Sequence, residues 1–97
     1  MKKKDNQQNL GDVVKQLIEY YGLSPKLDEI NIGHVWDKHM SKMIIRHTRN
    51  LYLNKKTLII EMDSAALRSE LSYGKEQIKN MINKELGKQV VEEVIVR

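Results

Sequence analysis

An α+β fold, with a three-stranded sheet covered on one face by helices, follows from three features of the sequence. Leu51 and Leu53, then Leu58, Ile60 and Met62, repeat at a spacing of two on either side of Asn54-Lys55-Lys56, the pattern of a β-hairpin with one buried face. Helical periodicities lie before and after this hairpin. The closing residues 90–97, VVEEVIVR, are rich in β-branched side chains and supply a third strand. A two-stranded hairpin is marginal in water, so its apolar face needs both the helices and that strand. The predicted order is helix, helix, strand, strand, helix, strand, with the last helix crossing back to bring the third strand alongside.

The elements can be justified in turn. Residues 1–8 are polar, carry Lys2, Lys3 and Lys4 together and have nothing to bury, so a flexible basic arm is expected there. Leu10, Val13, Val14, Leu17, Ile18 and Tyr21 then fall on one helical stripe, which Asn9 can cap and Gly22 can end. Ser24-Pro25 reads as a turn, and Leu27, Ile30 and Ile32 as a short connecting segment. A second helix is expected over residues 33–47, with Trp36, Met40, Met43, Ile44 and His47 on its apolar side. Trp36 is the largest core candidate in a chain that has no Phe. Ser64 or Asp63 can cap a third helix over residues 65–86, in which Leu67, Leu71, Ile78 and Ile82 turn inward. Gly74 should bend that helix or admit a close backbone, and Gly87 should end it in a left-handed cap. The core so predicted is built on Trp36, Met40, Leu58, Ile60, Leu67 and Leu71.

Ninety-seven residues, 40% of them hydrophobic, suit one domain over residues 9–97 and one core, with no repeat or low-complexity segment. The chain has no Cys, and its apolar runs are too short for a membrane span, so a cytoplasmic protein is expected. No phosphate loop or nucleophile motif is present, so neither a catalytic residue nor a cofactor is assigned. His34 and His39 are five apart and therefore far from one another around a helix, which argues against a metal site. Glu61 and Asp63 read as solvated charges on one strand face.

Charge is the more useful signal. Lys plus Arg exceed Asp plus Glu by 17 to 13. Lys38, Lys42 and Arg46 follow one another at i+4 and Arg49 continues their line; Lys55 and Lys56 tip the hairpin. Arg68, Lys75 and Lys79 share a flank of the third helix. Side by side these flanks would make a groove for a phosphate backbone, and separately they are ordinary solvated faces. Tyr52 and Tyr73 are the candidates for stacking on bases. An exposed Ile45 between Lys42 and Arg46 would instead mark a protein contact.

Trp36-Asp37-Lys38-His39-Met40-Ser41, His47-Thr48, the run from Leu58 to Leu71, Ile82-Asn83-Lys84-Glu85-Leu86-Gly87 and the closing Val94-Ile95-Val96-Arg97 together resemble the DciA family, over roughly residues 10 to 97. The resemblance implies a KH-like fold, DNA binding, and a non-enzymatic role in loading or assisting the bacterial replicative helicase. Its implied partners are therefore single-stranded or forked DNA and that helicase. An RNA-binding KH-like module and a protein-only adaptor are the alternatives. The chain departs from the family pattern at Ser41, Asn50 and the Asn54-Lys55-Lys56 turn, where the family often has Gly, Pro and Gly, and at Leu67, where it has an aromatic residue. The GxxG loop of RNA-binding KH domains is missing, which disfavours sequence-specific RNA binding. Many relatives carry a further segment or domain; without one, contact with a helicase falls to the arm or to the folded domain.

Overall fold

The computed structural model describes residues 12–14, 16 and 24–97, and residues 12–14 and 16 are helical. The basic arm over residues 1–8 and the rest of the first predicted helix lie outside the described residues. The remaining elements are α1 (Ser24–His39), α2 (Lys42–Arg46), β1 (Thr48–Asn54), β2 (Thr57–Met62), α3 (Ala65–Ser72), α4 (Lys75–Leu86) and β3 (Glu93–Val96). The sheet has the order β1-β2-β3, antiparallel within the hairpin and parallel between β2 and β3. This is the predicted α+β architecture, with α1 packed on β1, α3 on β2 and β3, and α4 on β3 and α1.

The period of two places Leu51, Leu53, Leu58, Ile60, Met62, Val94 and Val96 on the covered face. Leu67, Leu71, Ile78 and Ile82 meet them from α3 and α4, and Ile32, Val35 and Trp36 from α1. Trp36 is 2% exposed. Its indole N–H donates to Thr48 Oγ1 at 3.2 Å, and the same hydroxyl donates to the Ile44 carbonyl at 2.6 Å. One threonine thus satisfies the polar edge of the core tryptophan and fastens α2 to the start of β1. On the other face the register aligns Tyr52, Ile59 and Ile95. Arg97 lies beside them and donates to the Tyr52 hydroxyl at 2.7 Å and to Glu61 at 3.2 Å. Glu61 is therefore a bonded group: Asn50, and then Arg97, hold its carboxyl below the ordinary value.

Several boundaries differ from those predicted. The second helix starts at Ser24 instead of Gly33, because Pro25 falls in the first turn, where its missing N–H costs no helical bond. Leu27, Ile30 and Ile32 belong to this helix and not to a separate segment. It also stops early. After the Met40 N–H bonds the Trp36 carbonyl, Ser41 turns extended (ψ 157°) and its hydroxyl accepts the Ile44 N–H at 3.2 Å, which starts α2 as a new helix. The break changes which side chains face inward. Met43, expected on the apolar side, is 56% exposed, whereas Ile45, expected outside, is half-buried against the core.

The third predicted helix is two. Tyr73 and Gly74 close α3 with bonds to Glu70 and Leu71, and α4 begins at Lys75. Gly74 marks a bend and not a close approach, since a Cβ there would meet only ordinary contacts. Ser64 caps α3 and Gly87 (φ 72°) ends α4 as expected. The third strand begins at Glu93 and not at Val90, because Asn83 takes the backbone that would have paired. Its Oδ1 accepts the N–H groups of Val90 and Val91, and its Nδ2 donates to the Val91 carbonyl, each at 2.9 Å.

His47, just before β1, meets Asp63, just after β2. The Asp63 N–H donates to the His47 carbonyl at 3.0 Å, and His47 Nδ1 lies 2.7 Å from Asp63 Oδ1. An ionised carboxylate only accepts, so Nδ1 carries the proton. That hydrogen bond, helped by Arg49 at 3.3 Å, holds the Asp63 carboxyl below its ordinary value.

Two outcomes follow for stability. Trp36→Ala should cost about 3–5 kcal/mol, a large part of a domain's usual total, while Thr48→Val, which strands the indole N–H, should cost about 1–3 kcal/mol; urea denaturation measures both. Asp63 is depressed in the folded state, so its contribution is complete above the unfolded carboxylate pKa of about 4 and is lost as pH falls through the lower folded value. Melting temperatures taken from pH 6 to pH 2 should decline most steeply below about pH 4, and Asp63→Asn should flatten part of that decline.

Candidate nucleic-acid interface

The hairpin decides where the basic residues go. Thr48 pairs with Met62, so residues just before β1 and just after β2 share one end of the sheet, and the turn at Lys55-Lys56 forms the other. At the first end stand Arg46, Arg49 and Arg68. Arg49 is paired with Asp63, and Arg68 donates to the Met62 carbonyl at 2.8 Å. Lys42 and Arg46 are one turn apart on α2, both exposed, and neither has a hydrogen-bond or ion-pair partner among the described residues. An irregularity in the register between Thr48 and Asn50 sits beside Arg49. Next to this end lies a cleft of about 290 Å³ between α1, α2 and β1, lined by Trp36, Asp37, Ile45, Arg49 and Asn50.

The other sequence-predicted cations are placed differently. Lys38 is separated from Lys42 by the break at Ser41, so the expected line does not run along one helix. It lies 3.6 Å from Glu85 on α4, and His39 lies 3.3 Å from the same carboxylate. The His39 bond, then the Lys38 charge, keep the Glu85 carboxyl below its ordinary value. Lys75 opens α4 without a partner among the described residues, and Lys79 is ion-paired one turn later with Glu76 at 3.0 Å. Arg68 is on α3 and thus does not share a helix with them. Lys55 and Lys56 sit at the far end of β1 from Arg49, about 20 Å away at the rise of an extended strand. Lys56 donates to the Gln89 carbonyl at 3.1 Å, and Lys55 has no partner among the described residues.

The two tyrosines separate cleanly. Tyr52 is half-buried with its hydroxyl held by Arg97, whereas Tyr73 is 87% exposed at the bend between α3 and α4. Lys88 went unassigned in the sequence because it follows the Gly87 cap, where neither helical nor strand period fixes a side. Met43 was assigned inward, and only the serine cap at Ser41 could have signalled otherwise. Among the described residues no group of three His, Cys, Asp or Glu side chains could hold a metal ion, and no helix is long and apolar enough to cross a membrane.

The surface offers separated, partly unpaired cations at both ends of the hairpin, suited to charge contacts. No curated protein and no solved structure matches the chain. The family model described as Dna[CI] antecedent, DciA, matches residues 9–96, so the chain belongs to the DciA family, which is associated with loading of the replicative helicase.

Proposed function

We propose that this chain is a non-enzymatic adaptor that grips single-stranded or forked DNA through phosphate contacts while another of its surfaces engages the replicative helicase in the bacterial cytoplasm. The observation that carries the reading is the pair Lys42 and Arg46. Both are exposed, both lack an acidic partner among the described residues, and they share a short helix beside Arg49 and Arg68. Cations left unpaired keep their full charge for an incoming phosphate, and they read the backbone without reading sequence. Family membership supports the helicase as partner.

Met43, exposed between these two cations, favours a second reading in which α2 is a protein contact and the chain has no affinity for nucleic acid. Titration against single-stranded DNA, forked DNA and RNA of equal length separates the readings. Preference for structured RNA supports the RNA-binding alternative, and absence of binding at low salt supports the protein-only one. On the reading preferred here, Lys42→Glu with Arg46→Glu abolishes DNA binding and leaves the melting temperature near that of the parent. Neutralising the same pair to Gln should lower the single-strand salt slope by about 1.4, at about 0.7 per phosphate contact. Full affinity and an unchanged slope in both double variants would make α2 an ordinary solvated face.

A further inference from the structure

The hairpin turn does not end in open solvent. The Lys56 carbonyl accepts the N–H groups of Glu92 at 2.8 Å and Glu93 at 3.3 Å, and the Lys56 ammonium reaches the Gln89 carbonyl. The turn is thereby fixed to the segment between α4 and β3. Between them and α1 lies a cleft of about 210 Å³, lined by Lys55, Lys56, Lys88 and Gln89, with Asp28 on the α1 side. Leu53 and Val90 supply its apolar wall. Lys55 adopts φ 59°, a left-handed conformation unfavourable for a side chain larger than glycine. A turn that would be easier with glycine instead presents an unpartnered ammonium to the cleft.

The acid that lines the cleft leaves this charge in excess. Asp28 is paired with Lys88 at 3.1 Å, and Glu29 is occupied by the Leu53 N–H at 3.0 Å and by Lys26 at 3.6 Å. Glu93 is in register with Thr57 and belongs with Ile59 and Ile95 to the opposite face of the sheet. Three ammonium groups against one aspartate therefore line the cleft. The Asp28 side chain is only 18% exposed whereas that of Lys88 is 52% exposed, so the lysine can swing toward a new anion while the aspartate stays.

We infer that this cleft seats a backbone phosphate of single-stranded DNA, held by Lys55, Lys56 and Lys88, with Asp28 as the internal competitor that keeps Lys88 occupied when the cleft is empty. The inference rests on the DNA-binding reading above and adds a second anchor to it, at the opposite end of β1 from Arg49. Two anchors about 20 Å apart along an extended strand hold a flexible strand in one direction, which a single patch does not.

Fluorescence anisotropy with a labelled oligothymidylate 20-mer, over a series of salt concentrations, tests it. Lys55→Gly removes the charge and relieves the left-handed strain, so affinity should fall roughly threefold to tenfold at low salt and the slope by about 0.7, while the melting temperature stays at or above the parent's. Asp28→Asn should act in the opposite direction, raising affinity by a similar factor because Lys88 is released. Glu70→Gln removes one negative charge from the exposed side of α3, which contributes no residue to the cleft, and should leave affinity within about twofold. Equal gains from Asp28→Asn and Glu70→Gln would reduce the effect to net charge and overturn the proposal. So would parental affinity in Lys55→Gly and Lys88→Gln while the charge reversal of Lys42 and Arg46 abolishes binding; that result leaves the DNA-binding function standing and is the one an acidic protein occupant of the cleft predicts. Failure of the parent itself to bind the oligonucleotide would overturn both.

Discussion

The hydroxyl of Thr48 holds together parts of the chain that have little else in common. It accepts from the buried indole of Trp36 on α1, donates to the last turn of α2 and stands at the first residue of β1. A tryptophan suits the centre of a small core because it covers a large area, but its N–H has to find an acceptor once it is out of water. Here the acceptor comes from the strand, so the bulk that builds the core also sets the angle at which the helices enter the sheet. From that point the arrangement follows with little freedom. The hairpin register is counted from Thr48 opposite Met62, Asp63 returns to the His47 backbone, and α3 departs from the Ser64 cap directly beneath.

Helices occupy one face of the sheet and Arg97 draws Tyr52 and Glu61 together on the other, so the cations of the hairpin itself remain accessible at its two ends. This is a consequence of topology more than of composition. A net excess of four positive charges spread evenly over 97 residues would attract polyanions only weakly. Those cations that stand at the two ends of an extended strand acquire a spacing. Backbone geometry sets the distance between the two groups of cations, while each long side chain keeps its own rotational freedom.

The sheet was readable in advance because a period of two and a β-branched terminus have few other interpretations. Leu51, Leu53, Leu58 and Ile60 occupy the predicted face, and the caps at Ser64 and Gly87 stand where the residue types placed them. The helical boundaries were harder to read for a specific reason. Serine and proline each act in two ways: Ser41 reads as interior to a helix but starts a new one, and Pro25 reads as part of a connecting turn but lies in the first turn of a helix. A shift of one side chain then exchanged Met43 and Ile45 between surface and core. The Asn83 side chain, which substitutes for strand pairing at Val90 and Val91, leaves no periodic trace at all, because its partners are backbone groups seven and eight residues away. The basic residues were identified by type, but their grouping depended on those same boundaries. The line from Lys38 to Arg46 assumed a helix that the chain interrupts.

The structure also orders those cations by how free each is to leave its present partner. Arg68 donates to the Met62 carbonyl in a half-buried setting at the end of the central strand, and Lys56 ties the hairpin turn to Gln89. Withdrawing either would cost a bond that shapes the fold, although the Lys56 ammonium keeps two further N–H donors when it holds Gln89. Lys38 and Arg49 rest in exposed ion pairs with Glu85 and Asp63, and water and salt screen such pairs so strongly that a phosphate can replace the carboxylate at little cost. Lys42, Arg46, Lys55 and Lys75 have nothing among the described residues to give up. Binding that begins on the last group and recruits the second would strengthen as acids are displaced, without any change in the sheet. The difference between a solvated basic face and a binding surface therefore lies in which of these positive charges are already spoken for. In this chain the unoccupied ones are the exposed residues of α2, the hairpin tip and the start of α4.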